Sequence, residues 1–303
     1  MQKFTQIVCV DNTRLTQSAL EILSEYSHQT VKVFDDYPTD KREIMGRIGD
    51  ADCLLVSWKT PIDQEIIENA SSLKYIGMCC SLIDKASANV DINAAENRDI
   101  VVRGVKDYGD EGVVEFIISQ LISLAKGMGK HQWKPQQTEL KNKTLGIIGF
   151  GTVGQMLARV ALAFGMNVLY FSRTRKPTLE ESRLRYASLN DVLAQSDVIS
   201  THLPRNTKML GKAEFDLLSP NTVFINTSVG PTFDFGAFFG WVNKHNNYAI
   251  FDHDGAFGVQ NLELHPRIIY FPKTSGMTDA AFERLSEKVI ENLRSFLQEL
   301  SKT

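Results

Sequence analysis

The stretch Leu145-Gly-Ile-Ile-Gly-Phe-Gly-Thr-Val-Gly154 limits what this chain can fold into more than any other. An apolar run ending at Ile148 reads as a buried strand. It breaks into Gly149, Gly151 and Gly154 at G-x-G-x-x-G spacing, and a helix-like segment, Gln155 to Ala163, follows. The glycines differ in what they allow. The first permits a tight turn, the second lets backbone approach a pyrophosphate, and the third lets helix pack close on strand. Thr152 and Val153 fall at the helix start, where backbone N–H groups lack partners within the helix and face an anion. These five residues are therefore read as binding a dinucleotide.

The composition is that of an ordinary globular chain. With 303 residues, 43% hydrophobic and 23% charged, there is enough apolar material for two domains, each with its own core. The formal net charge of -3 gives no general attraction to nucleic acid or to anionic membranes, and neither is expected as a partner. The polar start, Met1-Gln-Lys-Phe-Thr-Gln, and the lack of a membrane-length apolar run lead to the expectation of a cytoplasmic protein. Cys9, Cys53, Cys79 and Cys80 lie in apolar runs without the spaced partners of a zinc site, so buried free thiols and no metal are expected.

Along the chain, short apolar runs alternate with helical patterns. Ile7 to Val10, Thr30 to Phe34, Cys53 to Val56, Tyr75 to Cys79 and Ile100 to Arg103 read as strands of a first parallel α/β unit that closes near residue 104. Asp110 to Lys126 is predicted as a helix: its apolar positions recur at helical spacing, acids open it, a lysine closes it and Gly127 stops it. It carries more apolar surface than one face needs, which suggests burial between domains or subunits. From Thr144 the alternation resumes through Val168 to Phe171, Val198 to His202, Thr222 to Asn226, Tyr248 to Phe251 and Arg267 to Phe271, giving six strands of a Rossmann sheet. A last amphipathic helix spans Asp279 to Leu300.

The order of elements and five motifs together resemble the D-isomer-specific 2-hydroxyacid dehydrogenases over nearly the whole chain. The matching stretches are Asn89-Val-Asp-Ile-Asn-Ala-Ala-Glu with Gly112-Val-Val-Glu-Phe, the glycine fingerprint, Ser196-Asp-Val-Ile-Ser-Thr-His-Leu-Pro, Phe224-Ile-Asn-Thr-Ser with Gly230, and Phe251-Asp252. The resemblance implies an α/β fold of two Rossmann-like domains, with the dinucleotide-binding domain (105–272) inserted in a flavodoxin-like substrate domain (1–104 and 273–303). It also implies a homodimer and hydride transfer between a nicotinamide and a small 2-oxoacid, 2-hydroxyacid or related carbonyl. By the same resemblance Pro204 and Thr207 border the phosphates or the nicotinamide ribose, Ser228 the nicotinamide, and Asp252 its carboxamide.

The departures concern catalysis. The places of the family's catalytic arginine, glutamate and histidine hold Val229, Gly255 and Lys273. Lys273 is the remaining candidate acid, since an ammonium beside a carbonyl oxygen stabilises the developing alkoxide and donates a proton, and partial burial would tune it for this. His253, Asp254, Trp58, Lys59 and Tyr108 are weaker candidates for the substrate side. The segment 79–88 replaces the family's glycine-rich carboxylate loop and lacks its glycines. After the second strand of the cofactor domain stands Ser172, with Arg173 and Arg175 beyond, where NAD-selective sites carry Asp or Glu. With guanidiniums and no carboxylate, NADP(H) is favoured over NAD(H). A non-catalytic dinucleotide-binding protein is the alternative to the oxidoreductase, and a Schiff base at Lys273 a third, weaker reading.

Overall fold

The computed structural model describes residues 2–85, 88–204, 207–230, 232–256, 259 and 261–302. The chain divides into two compact units, Met1–Tyr108 with Thr278–Thr303, and Gly109–Met277.

In the first unit, strands β1 (Ile7–Cys9), β2 (Lys32–Val33), β3 (Cys53–Val56), β4 (Tyr75–Ser81) and β5 (Val101–Val105) form a parallel sheet in the order β2-β1-β3-β4-β5. Side chains alternate strictly between its faces, as the two-residue period of a strand requires. Val8, Leu54, Val56, Ile76 and Met78 enter one core with Ile44, Ile66 and Ile67 from helices α2 (Lys41–Ile48) and α3 (Gln64–Asn69). Ile7, Cys9, Cys53, Leu55, Tyr75 and Cys79 enter the other, beside helix α1 (Gln17–Ser24). Helix α4 (Ile92–Glu96) precedes β5. The final helix, α10 (Asp279–Leu300), covers the second core with Leu285, Val289, Leu293, Phe296 and Leu297. Phe296 stacks with Phe4 and packs on Tyr75. All four cysteines are buried and free, and burial pushes the Cys9 thiol up to about 12.

The second unit opens with α5 (Asp110–Lys126), closed by Gly127 in the left-handed conformation at φ 64°. Its Phe116, Ile117, Leu121 and Leu124 belong to this unit's own core, with Trp133 from the following loop. Strands β6 (Thr144–Ile148), β7 (Asn167–Phe171), β8 (Leu184–Tyr186), β9 (Val198–Thr201), β10 (Val223–Asn226), β11 (Tyr248–Phe251) and β12 (Ile268–Tyr270) form a seven-stranded sheet ordered β12-β11-β10-β9-β6-β7-β8, parallel at each pairing. The sequence predicts six of these. The seventh, β8, is a three-residue edge strand whose centre is the exposed Arg185, too short and too polar to show a strand pattern. Helices α6 (Thr152–Ala163), α7 (Leu189–Gln195), α8 (Lys212–Asp216) and α9 (Phe235–Val242) connect the strands. The mixed α/β fold class expected from the sequence is the one found. Among the described residues no helix is long and apolar enough to cross a membrane, and no group of His, Cys, Asp or Glu is placed to hold a metal ion.

Leu293, fully buried at the centre of the α10 face, tests how far the first unit depends on its last helix. Leu293→Ala should cost about 2–4 kcal/mol in chemical denaturation, the range for a large-to-small core change. A loss under about 1 kcal/mol would mean α10 is dispensable.

Candidate functional site

In the second unit the order of strands reverses at β6, which pairs with β7 on one side and β9 on the other. Connections leave this point in opposite directions, so the carboxyl ends of β6 and β9 border a crevice, the usual ligand position in an open parallel sheet. The sequence candidates gather on that edge. Gly149 directly follows β6, Ser172 follows β7, Pro204 and Thr207 follow β9, Ser228 follows β10, Asp252 follows β11 and Lys273 follows β12.

The glycines are required by geometry. Gly149 has φ 97°, and a Cβ there would collide with the carbonyl of His202 at the end of β9. A Cβ on Gly154 would lie 2.5 Å from the Gly149 carbonyl oxygen. Gly151 meets nothing within 4 Å in the direction of a side chain, so the space in front of the turn is open. It is also the N-cap of α6, and no side chain caps that end. The amides of Thr152 and Val153 therefore stand at an uncapped helix start beside open space, which fits a pyrophosphate.

Beyond β7, Ser172 donates its hydroxyl to the Thr174 carbonyl at 2.6 Å. Arg173 is exposed and has no ion pair or hydrogen bond among the described residues. Arg175 differs: its guanidinium makes a two-pronged contact with Glu180, 2.7 Å on each side, which holds the Glu180 carboxyl down to about 2. The two arginines that look equivalent in sequence are thus unequal in the fold.

A buried polar network underlies the opposite half of the edge. Asn226 accepts from the Thr201 hydroxyl at 2.6 Å and from Thr232 at 3.2 Å, and its amide donates to the Gly255 carbonyl at 2.8 Å. Ser228 accepts from the Leu203 amide and donates to the Thr201 carbonyl, both at 3.0 Å, joining the ends of β9 and β10. Asp252, only 1% exposed, accepts from the Gly255 amide at 2.8 Å and from the amide and hydroxyl of Ser275 at 2.9 and 2.6 Å. Burial pushes its carboxyl above the usual range, and the Ser275 and Gly255 donors oppose that shift. Asp252 thus pins the loop after β11 to the segment after β12. Sequence reasoning assigned no role to Thr201, Thr232 or Ser275, whose partners lie up to 31 residues away.

At the positions where the resemblance puts the catalytic residues, Val229 is 39% exposed and Gly255 admits no side chain, because a Cβ there would strike the Asn226 carbonyl. Lys273 is exposed, as are Phe271 and Pro272 before it, so the partial burial that would tune it as an acid is absent. Its carbonyl accepts the His253 amide at 3.2 Å, which fixes the backbone beneath it. His253 itself is exposed and its Nδ1 lies 3.3 Å from the Tyr270 hydroxyl.

The first unit holds the remaining candidates. Asp11, fully buried, accepts from the Ser57 amide and hydroxyl and from Thr60 at 2.9, 2.6 and 2.5 Å, fixing the turn that bears Trp58 and Lys59. Lys59 Nζ sits 4.6 Å from the Tyr37 ring centre. The Tyr108 carbonyl accepts from Arg284 at 2.9 Å. Of the 79–88 segment, residues 86 and 87 lie outside the described residues.

Comparison with known proteins identifies the family and the fold. Residues 117–253 match the model of the D-isomer specific 2-hydroxyacid dehydrogenase NAD binding domain. A glyoxylate reductase of Thermococcus litoralis is 30% identical, covering 84% of this chain and 82% of its own. A hydroxypyruvate reductase of Blautia hydrogenotrophica is 28% identical, with 86% of each chain covered. Among solved structures, an acyclic imino acid reductase in complex with NADPH and D-Arg superposes with a TM-score of 0.81 at 25% identity over 97% of each chain. These three are reductases, which favours the oxidoreductase reading over a non-catalytic binding protein.

His202, beside the glycine turn, gives a pH test of this edge. Its Nε2 lies 2.9 Å from the Ser200 hydroxyl, and burial lowers its pKa to about 4. Below pH 6.5 the unfolded chain takes up the proton first, so stability should fall as pH drops from 6.5 toward 4. At pH 5 the loss should be about 1–2 kcal/mol relative to pH 7 in urea unfolding, and His202→Gln should remove it. An unchanged pH slope in the variant would show that His202 is not the group responsible.

Proposed function

This chain belongs to the D-isomer-specific 2-hydroxyacid dehydrogenase family of NAD(P)-dependent oxidoreductases, and we propose that it reduces a small 2-oxoacid or related carbonyl with NADPH, using Lys273 as proton donor. The observation that carries the reading is the gathering of Gly149, Ser172, Ser228, Asp252 and Lys273 on the carboxyl edge of one parallel sheet. Membership of the family also underlies the expectation of a cytoplasmic homodimer, which sedimentation of the full chain checks in part.

When bound, a reduced nicotinamide supplies the hydride. The chain's part is to bind and orient the dinucleotide and to answer the negative charge that gathers on the carbonyl oxygen. The glycine turn and the uncapped start of α6 take the pyrophosphate in this reading. Ser228 and Asp252 hold the strand ends that border the nicotinamide. Lys273 Nζ donates one proton to the oxygen, completing the hydroxyl, and solvent returns a proton to the exposed amine. Val229 cannot form the two-pronged grip of an arginine, so binding of the substrate carboxylate differs from that of arginine-bearing relatives.

For the cofactor, Ser172 in place of a carboxylate and the unpaired Arg173 support NADPH over NADH. The wider substrate class is drawn from relatives that reduce glyoxylate or hydroxypyruvate, with an imino acid as the more distant case.

Two variants test these assignments. Lys273→Ala should lower kcat about 10²–10⁴-fold on glyoxylate, hydroxypyruvate or another accepted carbonyl, with NADPH affinity within about twofold. Retained turnover would remove Lys273 from the chemistry. Arg173→Ala should weaken NADPH about tenfold by fluorescence titration while NADH changes less than about twofold. Equal losses for both cofactors would sink the phosphate-reading role.

A further inference from the structure

The segment after β7 is tied to the glycine turn by a ladder of aromatic and polar contacts. Phe150, inside the turn, stacks on Tyr170 with ring centres 4.0 Å apart, and Tyr170 meets the edge of Tyr186 on β8 at 5.5 Å. The fully buried Tyr170 donates its hydroxyl to Glu180 at 2.9 Å and accepts the Lys176 amide at 2.8 Å. Glu180 in turn holds Arg175 by two hydrogen bonds, and the Arg175 guanidinium lies 5.8 Å from the Tyr186 ring centre. Both ends of the 172–176 turn are therefore fixed from beneath: Ser172 directly follows β7, and Lys176 is bonded to Tyr170. The guanidinium left unpaired on that turn, among the described residues, is Arg173.

We propose that Tyr170 and Glu180 are positioning residues that set discrimination between NADPH and NADH, by pinning the 172–176 turn and Arg175 so that Arg173 alone reads the 2′-phosphate. The proposal rests on the NADPH preference argued above. Two consequences follow from the contacts. Arg175 cancels the charge of Glu180, so a carboxylate eight residues beyond Ser172 does not repel a phosphate. The turn is also ordered before the cofactor arrives, so that less side-chain freedom is lost on binding. Because Arg175 holds the Glu180 carboxyl down to about 2, the clamp is intact throughout the neutral and mildly acid range.

The test uses Tyr170→Phe, Glu180→Gln and Arg173→Ala, singly and with each clamp variant combined with Arg173→Ala, titrated with NADPH and NADH by fluorescence. Tyr170→Phe keeps the ring and its stacking, so it serves as the variant least able to disturb folding. Each clamp variant should weaken NADPH about three- to tenfold with NADH within about twofold, and should add nothing to Arg173→Ala. Tighter NADPH binding in Glu180→Gln would mean that released Arg175 takes the phosphate, and would overturn the proposal. Unchanged NADPH affinity, equal weakening of both cofactors or additive double variants would overturn it too. If Arg173→Ala leaves the NADPH-to-NADH ratio unchanged, the cofactor preference itself fails and the clamp with it. If that ratio collapses while Tyr170→Phe and Glu180→Gln leave it alone, only the clamp fails.

Discussion

The second unit depends on one close approach, that of the turn after β6 to the carbonyl ending β9. No side chain fits at Gly149, because its Cβ would occupy the place of the His202 carbonyl, and none fits at Gly154 without striking the carbonyl of Gly149 itself. Two glycines five residues apart therefore allow β6 to turn sharply and α6 to start directly over the sheet edge. Had either carried a Cβ, strand ends or helix would have to separate, and the amides of Thr152 and Val153 would no longer face the crevice where β6 and β9 part. An uncapped helix start beside open space, an arrangement suited to an anion, thus follows from packing before any charge is considered.

Beneath the other half of the edge the governing interaction is the buried Asp252. An isolated carboxylate in that position would be costly, and burial does push its pKa upward. Three donors from Gly255 and Ser275 offset this cost, and two of them are backbone amides that also need partners. The arrangement serves both sides, with Asp252 joining loops after β11 and β12 and Asn226 linking them to Thr201 and Thr232. The side chains at these strand ends are the ones satisfying the buried backbone.

What the sequence made legible is what short-range pattern records. Residues facing opposite cores alternate along the strands, as Cys53, Leu54, Leu55 and Val56 do, and the glycine fingerprint is complete within six positions. Pairings across long separations left no such trace. Nothing near Asp252 announces Ser275, and nothing in Ser172-Arg-Thr-Arg175 shows that the second arginine belongs to Glu180. Both arginines sit in a polar turn with similar neighbours. Which one is spoken for depends on where Tyr170 places its hydroxyl, and that is fixed by the stacking of its ring on Phe150. The exposure of Lys273 was hidden for the same reason, since a residue following a strand and a proline is buried only if another segment covers it.

In the proposed reaction, what Val229, Gly255 and Lys273 can do turns on the difference between a fork and a point charge. An arginine presents paired donors in a plane that match a carboxylate, whereas a lysine concentrates three donors on one mobile, strongly hydrated atom. With Val229 exposed and Gly255 closed to any side chain, Lys273 is the charged group at the three changed positions. A single ammonium does not hold both oxygens of a carboxylate in a plane while also aiming at the adjacent carbonyl. The ends of β9, β10 and β11, by contrast, are held by buried groups with hydrogen-bond partners. At the three changed positions the one charge sits on an exposed side chain, whereas Asn226, Ser228 and Asp252 at the strand ends are buried and hydrogen-bonded.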